Sequence, residues 1–116
     1  MSVRRVAIVT IPPLLADILR EVLGGQVAIE IVAQVGRRAR LEQRLRAAGP
    51  DFVFIGLRPG ESDTVARGLL TALPGAKIIA FSSDVHHVSV HQMRPHRTEL
   101  HDFSKEALIA LLKAPN

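Results

Sequence analysis

The spacing of apolar and polar positions changes several times along this chain. Residues 6–9 form a continuous apolar run closed by Thr10, Ile11 and two prolines, the pattern of a strand buried on both faces. Pro12 and Pro13 then open a helix, since proline suits a first helical turn. Leu14, Leu15, Ile18, Leu19, Val22 and Leu23 fall on one stripe of it before Gly24 and Gly25 stop it. A second strand is expected over 28–35. Residues 37–48 place Leu41, Leu45 and Ala48 at i, i+4 and i+7 with arginines on the other faces, which predicts an amphipathic helix ended by Gly49 and Pro50. A third, fully apolar strand covers 52–55. After a loop over 56–63, a helix over 64–73 is broken by Pro74 and Gly75 ahead of a strand over 78–81.

Beyond this point the pattern weakens. Val88, Ser89 and Val90 favour a strand, but the alternation asks for a helix, so 82–97 is read as a short irregular helix. A fifth short strand fits 98–100, and Ser104 would cap a last helix carrying Ala107, Leu108, Leu111 and Leu112. Strands alternating with helices imply parallel pairing through right-handed crossovers. The expected fold is therefore α/β and flavodoxin-like: a doubly wound, parallel, five-stranded sheet of order 2-1-3-4-5 with helices on both faces. A ligand site in such a sheet lies at the carboxyl ends of strands 1 and 3, here Thr10, Ile11 and Gly56.

Composition narrows the chemistry. A length of 116 residues suits one domain spanning 1–116. With 47% hydrophobic but only 3% aromatic residues, the core must be largely aliphatic. No apolar run is long enough to span a membrane and no signal-peptide cleavage site follows the first residues, so a cytoplasmic, non-membrane protein is expected. The absence of cysteine excludes disulfides and thiolate chemistry. Residues 1–60 hold nine arginines against five acids, whereas 61–116 are balanced at six of each sign, so the net charge of +4 sits in the first half.

Four segments then carry a family likeness: the strand and Pro-Leu-Leu helix start of Val6 to Leu15, the Pro-Asp-strand-Leu-Arg-Pro-Gly of 50–60, the Ala-Lys-Ile-Ile-Ala-Phe-Ser of 76–82, and Asp102 to Ser104. In order and spacing the chain resembles the CheY-like receiver domains of two-component response regulators, especially those joined to LuxR-type DNA-binding domains. The resemblance implies a phosphoacceptor aspartate at the end of strand 3 and two metal-binding acids after strand 1. Here those positions hold Gly56, Thr10 and Ile11. It also implies a switch hydroxyl, kept as Ser82, and a lysine, replaced by His101. Asp51, Asp63 and Asp84 are not placed to take over. The chain thus reads as a degenerate pseudo-receiver, neither an enzyme nor a cofactor binder. It would act in signalling or transcriptional regulation by binding a protein partner or a second copy of itself. The resemblance implies a homodimer face that would include Val88, Val90, Met93, Leu108 and Leu112.

Two clusters suggest alternatives. Arg37, Arg38, Arg40, Arg44 and Arg46 could grip phosphates or an acidic ligand through their bidentate forks. Nucleic acid is disfavoured because aromatic stacking residues and a groove-reading helix are missing. All five histidines lie within 86–101, and His87 and His91 at i and i+4 would share one helix face as a weak metal pair. No metal is expected, because neither cysteine nor enough nearby carboxylate completes the shell.

Overall fold

A computed structural model describes residues 3–25, 28–62, 64–83, 87–92 and 98–100. In chain order it forms β1 (Arg4–Val9), α1 (Pro13–Gly24), β2 (Ile29–Val35), α2 (Leu41–Ala48), β3 (Phe52–Gly56), α3 (Thr64–Ala72), β4 (Lys77–Phe81), β5 (Val88–His91) and β6 (Thr98–Leu100). The strands lie in the order β2-β1-β3-β4-β5-β6, with β1, β2, β3 and β4 pairing in parallel. This is an α/β fold with a mostly parallel sheet whose first five strands run 2-1-3-4-5, consistent with a flavodoxin-like architecture.

Alternation along the strands sorts side chains onto two faces. On one, Val6, Ile8, Phe52, Phe54, Ile79 and Phe81 pack with Leu15, Ala16, Leu19 and Leu23 of α1. On the other, Ala7, Val9, Val53, Ile55, Ile78 and Ala80 pack with Leu41 and Leu45 of α2 and Ala66, Leu69 and Leu70 of α3. The stripe on α1 is narrower than its sequence suggests: Leu14 and Ile18 are 76% and 44% exposed. At the amino edge of the sheet, the Asp51 carboxylate accepts the Arg5 N–H at 2.9 Å and the Asp51 carbonyl accepts the Lys77 N–H at 2.9 Å. Lys77 is itself buried, its ammonium 5.6 Å from the centre of the Phe52 ring, which compensates part of the charge's desolvation.

The region after β4 departs from the expected pattern. Residues 88–91, expected within an irregular helix, form β5, antiparallel to β4. The strand at 98–100 exists, but as β6, antiparallel to β5 rather than as a parallel fifth strand. Two physical reasons account for this. The connection from Phe81 to Val88 is too short for a parallel crossover, which needs about a dozen residues or more. The period is also two: Val88 and Val90 join the α1-side core, while Ser89 and His91 point to the opposite face. The helix expected from Ser104 and the residues Met93, Leu108 and Leu112 lie outside the described residues.

Helix α2 is shorter than expected because Arg40 adopts a left-handed conformation (φ 55°), so residues 37–40 form a turn and the helix begins at Leu41. Its end is as expected: Gly49, at φ 63°, donates its N–H to Leu45 O at 2.9 Å. Val90 reports directly on the rebuilt half of the sheet. Val90→Asp is expected to lower unfolding free energy by more than about 3 kcal/mol in urea titrations, since it buries an unpaired charge. A loss below about 1 kcal/mol would place residue 90 outside the core.

Candidate functional site

The loops after β1, β2 and β3 meet at the carboxyl edge of the sheet, where open α/β sheets place their ligands. Thr10 ends β1 with its N–H bonded to Val35 O at 2.7 Å, and its backbone turns sharply at φ 45°. A positive φ is uncommon for a β-branched residue and costs on the order of 1–3 kcal/mol. Two bonds hold it there. The Thr10 hydroxyl donates to Gly56 O at 2.8 Å and accepts the Arg38 Nε–H at 3.2 Å.

Arg38 comes from the turn before α2 and reaches across this edge. One terminal nitrogen, Nη2, donates to Gly56 O at 2.9 Å and to Glu61 Oε1 at 2.8 Å, while Nη1 donates to Glu61 Oε2 at 2.8 Å. The planar fork of a guanidinium matches a carboxylate in this two-point geometry, which lysine could not reproduce. Glu61 in turn accepts the Arg58 N–H at 2.5 Å, closing its own loop. The two side chains retain only 17% and 24% of their exposure, so the pair is screened less than a surface ion pair. The hydrogen bond from Arg38 is the chief reason that the Glu61 carboxyl is held below its usual range, against the opposing effect of burial.

Gly56 is where this edge is tightest. A Cβ on it would lie 2.4 Å from Thr10 O and 3.2 Å from Ile11 Cα, both backbone atoms that cannot swing aside. The position that the receiver resemblance assigns to a phosphoacceptor therefore has no room for a carboxylate. Thr10, Ile11 and Gly56 do come together, as the sequence suggested, but around a filled centre. Ser82 is placed elsewhere: its hydroxyl accepts the His87 N–H at 3.0 Å, and its own N–H donates to His87 O at 2.9 Å, so it closes the β4–β5 hairpin. His101 lies outside the described residues, as do Asp63 and Asp84.

The other candidates disperse. Of the arginines, Arg38 is absorbed into the edge, whereas Arg37, Arg40, Arg44 and Arg46 are exposed, with only Arg44 and Arg46 on the helix proper. Arg46 Nε donates to Ala72 O at 3.3 Å, tying α2 to the end of α3. The proposed histidine pair does not form: residues 87 and 91 are separated by extended chain, which puts them about 13 Å apart along the strand direction. His91 is buried and its Nε2 lies 2.9 Å from the Ser89 hydroxyl, while His87 is exposed. Val88 and Val90 are each 3% exposed within the chain itself, so they offer no surface to a second copy. No helix among the described residues is long and apolar enough to cross a membrane.

Glu61 was not apparent in the sequence, where 56–63 reads only as a loop. The usable signal was topological: in a 2-1-3 strand order, the loops holding Arg38 and Glu61 must converge, and opposite charges in converging loops pair. Compared with known proteins, the chain matches no family model and no curated protein sequence.

Because the folded carboxyl of Glu61 titrates below its ordinary value of 4.5, its contribution is full above that value. It disappears as pH falls through the lower folded value. Glu61→Gln is accordingly expected to cost about 1–3 kcal/mol at pH 7. The gap between the variant and the parent should narrow as the pH is taken below 4.5, measured by urea unfolding at stepped pH. A gap constant across that range would remove the ion pair as its source.

Proposed function

We propose that this chain is a non-phosphorylatable pseudo-receiver, a cytoplasmic module of signal transduction or transcriptional regulation that acts by binding a protein partner or a second copy of itself and catalyses no reaction. The observation that carries this reading is the contact at Gly56: a Cβ there would stand 2.4 Å from the Thr10 carbonyl oxygen. A phosphoryl-accepting carboxylate needs both a side chain and open space at that position, together with nearby acids to hold Mg²⁺. Thr10 and Ile11 supply no carboxylate, and the Arg38–Glu61 pair bridges the loops above them.

The same geometry favours a constitutive module over a switch. Phosphorylation-driven switching requires an element with two arrangements that phosphate biases. Here the hydroxyl of Ser82 is engaged in a hairpin bond to His87, and the loops after β1, β2 and β3 are tied by one guanidinium. The binding competence of such a domain resides in its surface and needs no chemical event at the edge.

Incubation with acetyl phosphate and Mg²⁺, followed by intact-mass measurement, is expected to leave the chain unmodified. Gly56→Asp should not create an acceptor: it is expected to lose about 1–3 kcal/mol or more of stability from overpacking and to remain unmodified. A stable adduct of one phosphoryl group on the parent chain would overturn the reading.

A further inference from the structure

We propose that the furrow between α2 and α3 is a docking site for an acidic amphipathic helix of a partner protein. The inference rests on the reading of the chain as a partner-binding module and names the surface and the chemistry of what binds there. The furrow encloses about 590 Å³ and has a floor of Leu41, Val65, Gly68 and Leu69, with Arg40 and Arg46 on its α2 side. Leu41 and Leu69 are buried in the core beneath it, so an apolar side chain entering the furrow meets hydrocarbon.

Gly68 is unusual. It lies inside α3, where glycine weakens a helix, yet a Cβ there would touch nothing within 4 Å. Packing within the chain therefore does not demand it. Its effect is to keep the floor open down to the helix backbone, which permits close approach by another element.

The charge lining the furrow is mainly cationic. Arg40 and Arg46 are exposed on its α2 side, and Arg38 lines it while paired to Glu61. Among the described residues lining the furrow, Glu42 is the one carboxylate, while Glu61 nearby is already held by Arg38. An apolar floor under a cationic rim complements a helix with an apolar stripe flanked by carboxylates. It suits nucleic acid poorly, because no aromatic side chain lines it for base stacking and its floor is hydrocarbon. Helices α2 and α3, at eight and nine residues, are long enough to flank about two turns of such a partner.

Three fluorescein-labelled probes test this by anisotropy against the full chain: a helical peptide of about 16 residues with leucines at i, i+4 and i+7 among glutamates, its lysine-for-glutamate counterpart, and a 20-base-pair DNA duplex. The glutamate peptide is expected to bind saturably, more weakly as salt rises from about 50 to 200 mM, with the lysine peptide showing no binding. Gly68→Gln, which fills the furrow without changing charge, should weaken binding at least about tenfold while leaving the melting temperature equal or higher. Arg40→Glu combined with Arg46→Glu should weaken it comparably. Failure of the glutamate peptide to saturate, unchanged affinity in Gly68→Gln, or tighter binding of the duplex would each overturn the proposal. None of these outcomes bears on the acetyl phosphate result, so a phosphorylated chain and an unoccupied furrow are separate failures.

Discussion

The backbone of Thr10 passes so close to Gly56 that the two residues leave no space for a side chain on the latter. That contact depends on a turn at φ 45° which a β-branched residue adopts only under constraint, and the constraint is visible: one hydroxyl hydrogen-bonded in two directions. With β1 turned in this way, the carbonyl of Gly56 and the hydroxyl of Thr10 form adjacent acceptors within reach of a single guanidinium. Arg38 takes both, then extends to Glu61, so three separate loops become one hydrogen-bonded unit. The unit is partly buried, where an unpaired charge would be costly and each member depends on the others.

The second half of the sheet follows from a different economy of chain. After β4 the polypeptide returns at once through a hairpin, closed by Ser82 and His87, instead of crossing over a helix. Parallel pairing on the β1 to β4 side and antiparallel pairing beyond it give a sheet whose far strands are positioned by local hydrogen bonds. In the proposed pseudo-receiver, the hydroxyl that would follow a phosphate has become a structural hairpin bond. On the proposed reading, selection of a partner falls to surface chemistry rather than to a switch, and the furrow between α2 and α3 is the surface proposed for it.

Several errors of expectation share one cause. Leu14 and Ile18 extend the apolar stripe of α1 by spacing alone, yet the buried arc is centred on Leu15, Ala16, Leu19 and Leu23 because only that arc faces the sheet. Arg38 looks like one of five equivalent arginines on a helix, but the left-handed turn at Arg40 removes it from the helix and points it inward. His87 and His91 are close neighbours only if the segment is helical, and the alternation of Val88, Ser89, Val90 and His91 makes it a strand that holds them about 13 Å apart.

Periodicity and punctuation in the sequence determined the first four strands, the three helices between them and the burial of the apolar runs of β1, β3 and β4, because burial on one face or two leaves a repeat of 3.6 or 2 that local residues record. Prolines and glycines at 12, 13, 24, 25, 49 and 50 marked helix ends for the same local reason. That Thr10, Ile11 and Gly56 carry no carboxylate was equally legible, being a simple fact of composition at the strand ends. Only the tertiary structure decided that Gly56 is required by the approach of another strand's backbone, that Arg38 and Glu61 meet across 23 residues, and that the chain reverses after β4. Each of these depends on the distance between segments remote in sequence, which no periodicity within a segment encodes.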